Sequence, residues 1–150
     1  DLKNAADVFG VGCFDVVLSN PPYLRMDWGV PSAEQELALA RHEVACTLED
    51  VTTAAGKLLK THGRLAIVHR PARLSDLLAA MRASHIEPAR LRFVQARSTS
   101  PPMMVLAEGV KESKATLKVM PALVLYGEDG GYTDEIDRIY FCRRTAQNAQ

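Results

Sequence analysis

The chain has 150 residues, 47% of them hydrophobic, with 18 basic and 18 acidic side chains and a sequence pI near 7.1. That length and apolar fraction suit one compact domain over residues 1–150, and they exclude a highly charged disordered chain or one that binds nucleic acid through net charge alone. Cys13, Cys46 and Cys142 have neither disulfide-framework nor metal-ligand spacing, and no apolar run reaches membrane-spanning length, so no metal and no membrane contact are expected and a cytoplasmic setting is.

Gly10-Val11-Gly12 follows no strand and precedes no helix, which is the wrong context for a phosphate or cofactor turn, and it reads as a loop. Phe14-Asp15-Val16-Val17-Leu18 is an apolar run without polar alternation, as expected of a parallel strand covered on both faces. It runs into Asn20-Pro21-Pro22-Tyr23. Ser32 with Gln35 then resembles a capping box, and Ala33, Leu37, Ala40 and Val44 fall on one helical face. Thr47 with Asp50 repeats the device ahead of a stripe of Leu48, Val51, Ala55, Leu58 and Leu59, in a helix predicted to end at Gly63. Arg64 to Val68 reads as the next strand, and Leu74, Leu77, Leu78 and Met81 mark another helix. Two strands around Leu91 to Val94 and Met103 to Glu108 are expected to pair antiparallel, followed by a strand over Val119 to Tyr126 and a turn at Asp129-Gly130. Thr133 then caps a short helix carrying Ile136, Ile139 and Tyr140. This order is α/β, the second half of a doubly wound sheet that closes in an antiparallel pair.

In such sheets ligands collect beyond the carboxyl ends of the strands, so Asn20 lies where a site belongs. An exocyclic or side-chain amide nitrogen has a delocalised lone pair and is a poor nucleophile. If the Asn20 side-chain oxygen and the Pro21 carbonyl accept its two hydrogens, the lone pair is turned toward an incoming methyl group without a strong base. Pro21 and Pro22 fix their own φ and restrict the residue before each, which holds the acceptors in place beforehand. Tyr23 offers a ring face to a flipped base, a stack worth roughly 1–3 kcal/mol. Met26 and Trp28 follow as a lid or as core.

Asn-Pro-Pro-Tyr after a hydrophobic strand is the amino-methyltransferase signature, and the chain resembles the bacterial tRNA1(Val) (adenine-N6)-methyltransferases of the methyltransferase small domain group. The resemblance rests further on Ala40-Arg41-His42-Glu43, Leu48-Glu49-Asp50, His69-Arg70-Pro71 and Val105-Leu106-Ala107-Glu108-Gly109-Val110-Lys111. Pro121-Ala122-Leu123-Val124-Leu125-Tyr126 with Tyr132-Thr133 extends it over nearly the whole chain. It implies the C-terminal half of a Rossmann-like class I methyltransferase sheet. It also implies S-adenosyl-L-methionine as cofactor, tRNA as partner, Asn20, Pro21, Pro22 and Tyr23 as catalytic residues, and Asn20 as a cofactor contact. Arg41, His69 and Arg70 are the candidates for touching substrate, although a helix cap at His69 and an internal ion pair at Arg41 serve equally well. Glutamine N5-methyltransferases also carry Asn-Pro-Pro-Tyr and stay open as the alternative, as does a non-catalytic interaction piece.

The family's glycine-rich cofactor turn lies upstream of Asn-Pro-Pro-Tyr, and only 19 residues precede Asn20. The expectation is therefore a partial methyltransferase domain, inactive alone, without its cofactor-binding half. Its Val16-Val17-Leu18 edge is then unpaired and expected to self-associate. The arginines and lysines at 64, 70 and 73, at 90, 92 and 97, and at 111, 114 and 118 are candidates for a phosphate-facing surface, with solvated charge as the equal alternative.

Overall fold

The computed structural model describes residues 4–20 and 47–141. Ala5–Phe9 (α1) is one short turn of helix, and the chain then reverses at Gly10 and Gly12, both at positive φ, before strand Phe14–Ser19 (β1). The loop reading of Gly10-Val11-Gly12 holds. Thr47 opens helix Leu48–Leu58 (α2) with the predicted capping box: the Asp50 amide donates to Thr47 Oγ1 at 3.1 Å and the Thr47 amide to Asp50 Oδ2 at 3.0 Å. The device proposed at Ser32 and Gln35 lies outside the described residues.

Strand Leu59–His69 (β2) begins where α2 stops. Gly63 therefore does not end the helix, and His62 does not sit at a helix terminus; both lie inside β2. Between Phe14 opposite Leu59 and Val16 opposite Arg64 the register slips, and the extra residues of β2 are taken up as a bulge with His62 at φ 63°. Helical spacing through Leu58 and Leu59 carries the apolar stripe past the boundary, which is why the sequence blurs it.

Pro71–Arg73 forms a 3₁₀ turn into helix Leu74–Ala83 (α3), and strands Ile86–Gln95 (β3) and Pro102–Lys111 (β4) follow. β3 and β4 are antiparallel, as predicted, and run longer than their most apolar stretches suggest. The strand expected over Val119 to Tyr126 is two short ones, Lys118–Val119 (β5) and Leu123–Val124 (β6), each parallel to β3. Pro121 stands between them and has no N–H for a ladder. Helix Asp134–Phe141 (α4) closes the described chain, with Thr133 at its head accepting from the Ile136 amide.

The sheet order is β1-β2-β4-β3-β5, with β6 also on β3. Alternation along the central strands sends Leu65 and Ile67 of β2, Leu91 of β3, and Val105 and Ala107 of β4 to one face, where Ala55 of α2 and Leu77 and Met81 of α3 cover them. On the other face α4 inserts Ile136 against Val94 and Leu123, at the far end from β1. Ile139 and Tyr140 are exposed, so only Ile136 of that predicted trio enters the core. β1 departs from expectation in the same way. Val17 packs on the helix-covered face, but Val16 is 53% and Leu18 77% exposed, because no described element reaches the opposite face there.

Gly109 is the tightest point of this core. A Cβ there would meet Met81 Cε and lie 2.6 Å from Ile86 Cγ2. We expect Gly109→Ala to cost about 1–3 kcal/mol of stability through overpacking, read as a lowered midpoint in thermal denaturation followed by circular dichroism.

Candidate functional site

β1 and β2 are parallel neighbours, with Ser19 opposite Ile67. Continuing that register one residue puts Asn20 level with Val68, just short of His69, the last residue of β2. Parallel strands lie about 4.8 Å apart, so the carboxyl ends of β1 and β2 form one rim. Arg70 follows directly as the extended residue ahead of the Pro71 turn, which fixes the exit of the chain from the sheet. Pro21, Pro22, Tyr23, Arg41, Met26 and Trp28 lie outside the described residues. Of the predicted site residues the structure places Asn20, His69 and Arg70, all on this rim.

Asn20 borders a cleft of about 510 Å³ that opens over the uncovered face of the sheet. Leu18, Ala66, Val68, Leu106 and Met120 give it an apolar wall, while Arg90, Arg92 and Glu108 supply the charge. The lining stops at Val68, which leaves His69 and Arg70 beyond its edge. Gly10 and Gly12 precede β1 and so lie at the opposite, amino end of the sheet, away from Asn20. Among the described residues no group of acidic, histidine and cysteine side chains is arranged to hold a metal ion. Nor is any described helix long and apolar enough to cross a membrane.

A predicted O-methyltransferase from Agrobacterium tumefaciens superposes with a TM-score of 0.69 at 19% identity, over 93% of this chain and 59% of that one. The fold is that of the class I methyltransferases. A Thermus thermophilus protein named for a proposed DNA modification methylase, solved with S-adenosyl-L-methionine, gives 0.53 at 15% identity, over 77% of this chain and 55% of that one. By sequence, the chain is 28% identical over 129 residues to the tRNA1(Val) (adenine(37)-N6)-methyltransferase of Porphyromonas gingivalis, which is 84% of the chain and 49% of that relative. The same-named protein of Parabacteroides distasonis is 30% identical over 95 residues, 63% of the chain and 39% of its own length. The chain thus spans about half the length of the curated relatives it matches. No family model matches it.

Within this methyltransferase fold the arginines of β3 are committed to carboxylates. Arg90 forms a two-pronged pair with Glu108, its cross-strand neighbour on β4. Arg92 donates through Nε to the Pro121 carbonyl at 2.8 Å, and through both terminal nitrogens to Glu135 at 2.7 and 2.8 Å. Arg97 donates to the Gly127 carbonyl at 3.2 Å, and Lys111 to the Leu59 carbonyl at 2.8 Å. Arg73 is paired with Asp76. Much of the cationic set considered for phosphate contact therefore fastens elements to one another. Sequence spacing cannot pair Arg92 with Glu135, since 43 residues separate them; only the alternation that puts Arg90 and Arg92 on one face of β3 hints at a shared role.

The hydrogen bond from Arg92 is the main cause that holds the Glu135 carboxyl below the usual carboxylate range, with burial working against it. A depressed acid contributes stability above its unfolded pKa, about 4.3 for Glu, and loses it as pH falls through the folded value. The pair is partly solvated, with side chains 24% and 42% exposed, so the contribution is about 1 kcal/mol or less. Glu135→Gln is expected to lower the thermal midpoint by a few degrees at neutral pH. That difference should close as the two proteins are melted at successively lower pH, below the usual glutamate range.

Proposed function

We propose that this chain is the acceptor side of an S-adenosyl-L-methionine-dependent amino-methyltransferase acting on an adenine N6 of tRNA. The observation that carries the reading is Asn20, an uncharged amide ending an apolar parallel strand at the ligand end of a methyltransferase sheet, with Pro-Pro-Tyr behind it. Two further facts support it: the 28% identity over 129 residues to the Porphyromonas relative, and a fold neighbour solved with the same cofactor.

The residues present suit the methyl-bearing end of that cofactor and a planar amine. Asn20 offers a carboxamide beside the apolar wall of Leu18, Ala66 and Val68, and none of these is a nucleophile that would compete for the methyl group. When bound, the cofactor supplies an electrophilic methyl on a sulfonium. Asn20, through its side-chain oxygen, and Pro21, through its carbonyl, accept the two amine hydrogens and orient the lone pair. Tyr23 stacks on the base, and Pro22 keeps the loop from relaxing. The nitrogen releases one hydrogen as a proton to water once methylated, so no buried general base is needed. His69 and Arg70, on the rim one strand away, would meet the RNA backbone, and Arg41 is assigned to substrate contact with them.

We further propose that residues 1–150 form one part of a methyltransferase domain whose cofactor-binding side corresponds to the remaining length of the relatives, and that the chain alone is inactive. It works in the cytoplasm, on tRNA, without a metal. Self-association through the Val16–Leu18 edge belongs to the same reading.

Two measurements test this. Calorimetric titration of S-adenosyl-L-methionine should show weak or no binding to the 150-residue chain and clear binding when it is extended to the length of its relatives; micromolar binding to the chain alone would refute the partial-site reading. In the extended enzyme, Asn20→Ala should lower kcat/KM for tRNA methylation about 10²–10³-fold, as for loss of one preorganised polar group. Near-normal turnover would sink the assignment, and methylation of a release-factor glutamine instead of tRNA would move it to the protein-modifying enzymes.

A further inference from the structure

The carboxyl rim of the sheet continues past His69. β2 and β3 are both antiparallel to β4, so β3 points the same way as β1 and β2, and β6 lies parallel to β3. The loop after β3, residues 96–101, and the residues after β6 therefore share the end of the sheet that carries Asn20. They also stand further out. Asn20 is level with Val68, and through it with Leu106 and Arg92 across the sheet, whereas the Tyr126 amide donates to the Ala96 carbonyl at 2.9 Å.

A pair of tyrosine rings occupies this raised corner, four strand spacings from β1. Tyr126 and Tyr132 stack with centroids 5.3 Å apart and planes 15° from parallel, and they are 37% and 51% exposed. The hairpin that carries them closes without the rings. The Gly127 amide donates to the Gly131 carbonyl at 2.9 Å, the Thr133 amide to the Leu125 carbonyl at 3.0 Å, and the Gly131 amide to Asp129 Oδ1 at 3.1 Å. Arg97 Nη1 fastens the Gly127 carbonyl to the loop after β3. A turn held by its own hydrogen bonds thus displays two near-parallel rings at the ligand end of the sheet, and burial does not account for them.

The charge beside the rings differs from that in the body of the sheet. Arg73, Arg82, Arg90 and Arg92 are each paired with a carboxylate. Arg97 is exposed and donates to a carbonyl, and no described carboxylate pairs with it, so most of its five N–H groups and its whole charge are available to an anion. Glu128, exposed in the turn, repels phosphate from the tip. The rings therefore suit a base, and a phosphate belongs on the Arg97 side.

We propose that Tyr132, backed by Tyr126, stacks a nucleobase of single-stranded RNA flanking the methylated one, while Arg97 takes a phosphate of the same stretch. The proposal rests on the RNA reading above for the class of partner and adds a contact remote from the reacting atoms. Four strand spacings are about 19 Å, more than a nucleoside spans, so the contact serves a strand and not a free base. Every base has a π face, and stacking of this kind sets the path of the strand without reading its sequence.

Fluorescence anisotropy of a labelled single-stranded RNA of about 12 nucleotides against the 150-residue chain, without cofactor, tests the contact apart from methylation. Circular dichroism confirms that each variant is folded. The expected result is binding that Tyr132→Ala weakens about 10–100-fold and that Tyr132→Phe and Tyr132→Trp retain. Arg97→Gln should reduce the slope of log affinity against log salt by about 0.7, the value for one phosphate on a single strand, and Tyr132→Ala should leave that slope unchanged. Absence of binding up to about 100 µM, where even non-specific contact registers, overturns the proposal. So does a Tyr132→Ala variant that binds like the parent, a Tyr132→Phe variant as weak as Tyr132→Ala, or equal binding of the same sequence as a duplex. None of these results touches the Asn20 assignment, since no methyl transfer is measured; loss of tRNA methylation by the extended enzyme with this binding intact would overturn that assignment and not the contact.

Discussion

The parallel alignment of β1 with β2 is the constraint on which the rest of the molecule depends. Two parallel neighbours require a crossover that returns the chain to the same end of the sheet, and α2 lies in that crossover on the face it covers. Once Ser19 stands opposite Ile67, the residues that end each strand have no freedom to separate. Asn20 and His69 become neighbours although 49 positions apart in the chain. Leu65 and Ile67, fully buried between the flanking strands and under α2 and α3, fix β2 as the rigid member of the pair. Under the proposed reading Asn20 is an acceptor that needs that rigidity, because hydrogen bonds that orient a nitrogen lone pair contribute to rate only if they cost no reorganisation when the base arrives.

A second set of ties holds the carboxyl-terminal part to that frame. β5 and β6 are two residues each, too short to be stable by ladder bonds alone. Arg92 compensates by gripping the Pro121 carbonyl between them and Glu135 on α4 at once. Thr133 adds a bond from its hydroxyl to the Val124 carbonyl at 2.7 Å, and Ile136 seals the contact against Val94 and Leu123. Arg92 therefore has a positional role that its charge alone would not suggest. Its place beside the cleft also means that a ligand there meets a guanidinium with three of its five N–H donors already engaged and its charge paired with Glu135, which makes Arg92 a weak competitor for a phosphate.

The order of strands and helices and the end of β1 were legible because each rests on a local signal: an apolar run, a capping box, a proline or glycine break. The antiparallel pairing of β3 with β4 was legible for the same reason, through two apolar strands joined by the short polar stretch Ala96 to Pro101. The start of β2 was not, since Leu58 and Leu59 fit a helical stripe as well as a strand and only the pairing with β1 decides between them. The split of β5 from β6 was signalled by Pro121 but masked by the apolar residues around it. The shared position of Asn20, His69 and Arg70 at one end of β1 and β2 could be anticipated from the chain, whereas the commitments of Arg90 and Arg92 could not. Their partners sit on other elements, and a basic residue on a strand looks the same in sequence whether it faces a phosphate or a glutamate.

The uneven covering of the sheet bears on how the site works. On the face carrying α2 and α3, every central strand is buried and the backbone is held on both sides. On the opposite face α4 protects only the end near β6, and the cleft beside Asn20 is floored by Ala66, Val68 and Leu106 without a roof among the described residues. Wherever a cleft face meets solvent, water both screens electrostatic interactions and competes for hydrogen bonds. Chemistry that depended on a buried charge or a shifted general base would lose most of its driving force there. Under the proposed reading, orientation of a neutral amine by the Asn20 amide would lose much less, because its strength would come from position and not from charge. That reading asks the protein for position, which an uncharged side chain at a rigid strand end can give, and leaves the electrophile to supply the reactivity.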